Sequence, residues 1–113
     1  MLMEIRLNDV APGAVAVVLS GRVIMGPASE RIVTLIEELL HQGKRTIIFD
    51  LAGVTSLDST GIGRFISSYK MIKAADGEMR MAGATGHLFD VFHISRLDTV
   101  FPFYATAEEA AKG

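Results

Sequence analysis

The sequence predicts an α/β fold: a mostly parallel mixed sheet of about five strands with four helices packed on it. Three observations lead there. Strand-length apolar runs alternate with helix-length amphipathic stretches, the connections between them are short, and only the first two strands are close enough in sequence to pair as a hairpin. No linker, internal repeat or low-complexity stretch divides the chain, so residues 1–113 read as one domain.

Each element has its own signal. Met3, Ile5 and Leu7 alternate with Glu4, Arg6 and Asn8, the period of a half-exposed strand. Pro12 and Gly13 mark a turn into residues 14–19, a continuous Val-rich run expected to be covered on both faces and antiparallel to the first strand. Gly26 and Pro27 open a helix with Ser29 as its expected cap. Ile32, Leu35, Ile36, Leu39 and Leu40 form its buried stripe, and Gly43 ends it. Residues 46–51 predict a central parallel strand, followed by a short loop. A second helix begins at Ser59, with Ile62, Phe65, Ile66, Tyr69 and Ile72 inward and Gly77 closing the segment.

Residues 78–82 predict a short strand and residues 87–96 a third helix, with Leu88, Val91, Phe92 and Ile94 facing the core. Residues 100–104 read as a strand, placed at an edge because Pro102 cannot donate to a ladder. Thr106 and Glu109 have the spacing of a capping box for a last, Ala-rich helix.

Composition narrows the function. Charged residues make up 21% of the chain and the formal net charge is −2, with Lys and Arg scattered and only Lys44 and Arg45 adjacent. Without a basic stripe, direct nucleic-acid binding is not expected. The chain has no cysteine, which removes disulfides, thiolate chemistry and cysteine metal sites together. Glu4 and Arg6 interrupt any leader-like apolar run, and no apolar stretch is long enough to span a bilayer, so no membrane insertion and a cytoplasmic location are expected.

Enzymatic frameworks are also missing. The Asp58-Ser59-Thr60-Gly61 run has one residue too many for an aspartic-protease motif and has no second copy. There is no Gly-x-Ser-x-Gly elbow, no third glycine to make Gly61-x-Gly63 a dinucleotide fingerprint, and no Gly-Lys-Ser/Thr phosphate loop. His87, Asp90 and His93 are the nearest approach to a metal set, but a separation of six residues does not put both imidazoles on one side of a helix. They are expected at the surface or a helix end, as is His41, which complements its helix dipole. The methionines, Met79 and Met81 among them, fit packing positions. Neither a cofactor nor a metal is expected, and the chain does not read as an enzyme.

The segment from Asp50 to Gly63 departs from the surrounding pattern. It enters a helix through three cap-type residues, Asp58, Ser59 and Thr60, and then places Gly61 and Gly63 in the first turn. Each glycine there costs about 1 kcal/mol relative to alanine, which points to a close approach to the backbone. A helix start carries free N–H groups and a partial positive charge, a setting that suits an anion. A phosphoryl group on Ser59 would meet those N–H groups and add roughly −1.5 to −2 charges beside Asp58. The same residues also read as ordinary caps, and from their chemistry alone that reading stays open.

Leu57-Asp58-Ser59-Thr60-Gly61-Ile62-Gly63, after the apolar Ile47-Ile48-Phe49-Asp50-Leu51, resembles the signature of STAS domains, specifically the bacterial anti-sigma-factor antagonists. Tyr69 and Lys70, the Gly77-Glu78-Met79 return, and Leu88-Phe89 ahead of Leu97 extend the resemblance over nearly the whole chain. The resemblance implies a phospho-switched binding module. Its partner would be an anti-sigma factor that is also a serine kinase, bound by the unphosphorylated form so that sigma factor is released. Phosphorylation of Ser59 would switch it off, and a phosphatase acting on phospho-Ser59 would reset it. Asp58, Ser59, Thr60, Gly61, Ile62 and Gly63 would form the partner-binding segment, with Asp58 presenting the serine. One departure is notable: many antagonists carry acidic residues where this chain has Gly21-Arg22-Val23-Ile24. A scaffold role in a stressosome-like or lipid-transport complex is the alternative the resemblance allows; anion or nucleotide binding at the bare helix end is a third reading, from another class.

Overall fold

The computed structural model describes residues 3–113. The elements run β1 (Glu4–Ala11), β2 (Ala14–Val23), α1 (Pro27–His41), β3 (Thr46–Leu57), α2 (Ser59–Ala74), β4 (Glu78–Ala82), α3 (Gly86–Ile94), β5 (Phe103–Tyr104) and α4 (Ala107–Lys112), with a 3-10 turn at Leu97–Thr99. The five strands lie in sequence order across one sheet. β1 is antiparallel to β2, and the remaining pairs are parallel, so the mixed sheet and its opening hairpin are as expected.

Period-two alternation divides the strand residues between two faces. Val15, Val17, Ile47, Phe49, Met79 and Met81 point to one side, where they meet Ile32, Ile36 and Leu39 of α1, Phe65 and Ile72 of α2, and Phe92 of α3 in the main core. The intervening Ala16, Ile48 and Ala82 form a second, smaller cluster with Ala110 of α4. Three helices therefore cover one face and α4 alone covers part of the other. Phe65 is central to the main core: its ring lies 5.1 Å from Phe49 and 5.9 Å from Phe92, both edge-on.

Four expectations need correction. β3 does not stop at residue 51 and no loop follows it; the strand continues to Leu57 because β2 also continues, to Val23, and supplies its backbone partners. Register shifts between Val18 and Ser20 and between Gly21 and Arg22 break the period-two pattern there, so the extension leaves no alternation in the sequence. The strand expected over 100–104 is only Phe103–Tyr104, with Val100 exposed and the Pro102 carbonyl accepting from the Met81 N–H at 2.9 Å. It does lie at the sheet edge. Ile94 faces solvent, 81% exposed, because α3 ends there and the chain turns away at Arg96 in a left-handed conformation. Ser29 is not the cap of α1. Gly26 holds that position, and Ser29, two residues inside the helix start, turns its hydroxyl back to donate to the Gly26 carbonyl at 3.3 Å.

Candidate functional site

The long β2–β3 pair delivers two chain segments to the same place. β2 ends at Val23 and leads through Ile24, Met25 and Gly26 into α1; β3 ends beside it at Leu57 and passes directly into α2. Asp58 is the junction. Its backbone is extended, its own N–H meets the Val23 carbonyl at 3.4 Å, and its carboxylate does two jobs. Oδ1 accepts from the Gly61 N–H at 2.7 Å, capping α2, while Oδ2 accepts from the Met25 N–H at 2.9 Å across the sequence. These bonds to the Met25 and Gly61 amides hold the carboxyl below its ordinary pKa of 3.8, so it is ionised at neutral pH.

Ser59 is the first residue of α2 and is exposed. Thr60, Ile62 and Gly63 are half-buried and Gly61 is buried, so the six residues singled out in the sequence form one continuous turn with Ser59 outermost. The two glycines have different reasons. A Cβ on Gly61 would lie 2.0 Å from the Val23 carbonyl oxygen and 2.8 Å from Leu57 Cδ1, so the end of β2 is what approaches this backbone closely. Around Gly63 nothing lies within 4 Å of such an atom, so its face is open. The helix start is also less bare than expected. The Gly61 amide is already taken by Asp58 and so is not free for another anion.

Arg64 was not singled out by its chemistry in the sequence, yet it completes the junction. Its Nε donates to Ser29 Oγ at 3.2 Å and its Nη2 reaches the Gly26 carbonyl at 3.5 Å. Asp58 and Arg64 thus hold consecutive residues of the β2–α1 turn from one helix. Met25, whose amide Asp58 holds, is itself 74% exposed. A lone arginine beside an apolar stripe gives no sequence sign of this, because its partners lie more than thirty residues away.

The histidines lie elsewhere. His87 and Asp90 are exposed on α3, and His93 Nδ1 pairs with Asp98 Oδ2 at 2.8 Å, a bond and charge that raise the imidazole pKa. Among the described residues no group of three or more acidic or imidazole side chains is placed to hold a metal ion. No helix among them is long and apolar enough to cross a membrane.

The model of the STAS domain family matches residues 7–110 of this chain. The chain belongs to the STAS domain family. The match runs from within β1 to within α4 and so takes in β2 to β5, most of β1 and the Asp58 junction. Among curated relatives, the anti-sigma-B factor antagonist of Listeria monocytogenes is 32% identical over 63 residues, 54% of this chain and 55% of its own length. The matched stretch thus spans about half of that relative. Among solved structures, the anti-sigma factor antagonist of Mycobacterium paratuberculosis superposes with a TM-score of 0.81 at 20% identity, covering 97% of this STAS domain and 92% of its own chain. The phosphorylated form of the Bacillus cell fate determinant SpoIIAA superposes with a TM-score of 0.76 at 26% identity, covering 96% and 97%.

Proposed function

We propose that this STAS domain is an anti-sigma-factor antagonist whose switch is Ser59. The observation that carries the reading is the position of the Ser59 hydroxyl: exposed, at the first residue of α2, on a backbone held by the Asp58 carboxylate. A kinase can reach such a hydroxyl without unfolding anything. The similarity to the Listeria antagonist and to SpoIIAA in its phosphorylated form supports the same reading.

In this reading the unphosphorylated domain docks a serine-kinase anti-sigma factor through Asp58, Ser59, Thr60, Gly61, Ile62 and Gly63, and sigma factor is released. The kinase supplies ATP and magnesium. The Ser59 oxygen attacks the γ-phosphorus, the bond to the ADP oxygen breaks, and the hydroxyl proton passes to a base of the kinase. The product carries a near-dianion beside the ionised Asp58, so the docking face gains roughly 1.5 to 2 negative charges beyond the one already on Asp58. A phosphatase restores the hydroxyl by transferring the phosphoryl group to water, releasing inorganic phosphate. The open face at Gly63 leaves room for the partner's backbone or side chains to come close.

The test is phosphorylation of the purified domain by its cognate anti-sigma kinase with ATP, the phosphate mapped by mass spectrometry. A single phosphate on Ser59, absent from Ser59→Ala, and a fall in kinase affinity of a hundredfold or so on phosphorylation, about 2.7 kcal/mol, are expected. Phosphate on another residue, or unchanged affinity after modification of Ser59, overturns the proposal.

A further inference from the structure

We propose that the free edge of β1 pairs with the same edge of a second copy of this chain, joining two five-stranded sheets into one of ten strands. Among the described residues β1 ends the sheet, with β2 along one side only, so its other side carries backbone donors and acceptors with no described strand against them. Its side chains are arranged to accept a copy of themselves. Glu4 and Arg6 are exposed on one face, and neither forms an ion pair with another described residue. On the other face Leu7 is 50% exposed, and Ile5 and Leu7 line a groove of about 470 Å³ against Leu35 and Thr34 of α1.

Two copies of one strand pair antiparallel about a two-fold axis, and the residue on the axis decides which side chains face each other. With Ile5 on the axis, Ile5 meets Ile5 and each Glu4 meets the other copy's Arg6, while Met3, ahead of the strand, stays in the core. Two opposite-charge pairs then lie on the solvent face and the Ile5 pair on the α1 face, beside the exposed Leu7 of each copy, a combination that stabilises cross-strand neighbours. An axis at Arg6 sets arginine against arginine. An axis at Leu7 sets Ile5 against Asp9, whose carboxylate is engaged with Lys44 at 3.4 Å. Charge on an edge strand ordinarily repels an incoming strand, but opposite charges two residues apart on one face are complementary to their own image. That complementarity identifies the occupant as a second copy. The pairing is short, well under the roughly 1,600 Å² of a standard interface, so the dimer is weak and forms in proportion to concentration.

The experiment is sedimentation velocity on the 113-residue chain from micromolar to millimolar concentration, with the folded state of every variant checked by circular dichroism. The wild type is expected to pass from monomer to dimer. Glu4→Arg and Arg6→Glu are each expected to stay monomeric, since each opposes like charges twice. The double variant is expected to dimerise again, and a mixture of the two single variants to form a heterodimer that neither forms alone. A wild type that is monomeric throughout overturns the proposal, as do single variants that dimerise like the wild type or a mixture that does not associate. None of these outcomes depends on Ser59.

Discussion

The Asp58 carboxylate and the Met25 amide, 2.9 Å apart and thirty-three residues apart in sequence, tie the start of α2 to the turn that leads into α1. The other oxygen of the same carboxylate caps α2 at Gly61, so one ionised group sets both the direction of the helix and the position of the neighbouring turn. Serine at the next position inherits that geometry.

Replacing Asp58 with Asn keeps the size of the side chain but removes the charge and one of the two acceptors. The variant is expected to melt several degrees below the wild type at neutral pH. The carboxyl is depressed below 3.8 in the folded protein by the Met25 and Gly61 amides, so its contribution is complete above the ordinary carboxylate range and is lost as pH falls through the folded value. The gap in melting temperature between wild type and Asp58→Asn should therefore close on acidification from about pH 5 downward. Thermal melts across that range measure it, and a gap that stays constant refutes the double role.

Gly61 and Gly63 should respond in opposite directions to alanine. At Gly61 the new Cβ collides with the Val23 carbonyl, a backbone atom that moves only if β2 shifts, and a loss of about 3 kcal/mol or more is expected. At Gly63 the space is free, and helix propensity alone predicts a gain of about 0.5–1 kcal/mol. Urea denaturation of the two variants reads both signs.

Phe65→Ala removes a ring wedged between Phe49 and Phe92 in the main core. The expected cost is about 3–5 kcal/mol, which is a large share of the 5–15 kcal/mol typical of a domain. Chemical denaturation should show a midpoint shifted far to lower denaturant without a change in slope.

His93 should titrate above its ordinary value of 6.5 because of the bond to Asp98, then that carboxylate's charge, with a smaller contribution from Asp90. The sign follows from the raised value: the pair's contribution is present in full below the ordinary imidazole range and is lost as pH rises through the folded value. Following the imidazole proton resonances with pH, the midpoint should fall in Asp98→Asn; an unmoved midpoint refutes the pairing.

How far the sequence could be read depended on whether local pattern and long-range contact agreed. The α1 stripe was legible because Ile32, Ile36 and Leu39 face the sheet and nothing else competes for them. The last helix was legible from Thr106, whose Oγ1 accepts from the Glu109 N–H at 3.1 Å. The second half of β3 was not. Its residues are held by main-chain pairing to β2 across two register shifts, and neither side-chain alternation nor turn chemistry records such pairing. The same holds at the site. Ser59 and its neighbours formed a compact signal, whereas Met25 and Arg64 belong to the site only through bonds between distant segments. Gly61 misled in a different way: the close approach it permits is made by the protein's own β2.

The division of the core into unequal halves gives the molecule a gradient of firmness. On its second face the sheet is sealed by a six-residue helix that brings only alanines to Ile48, Val10, Val18 and Tyr104, with one hydrogen bond from Arg80 to the Ala110 carbonyl, and is too short to be stable by itself. α4 is therefore the part that lifts first, its amides exchanging with solvent while the three-helix side stays closed.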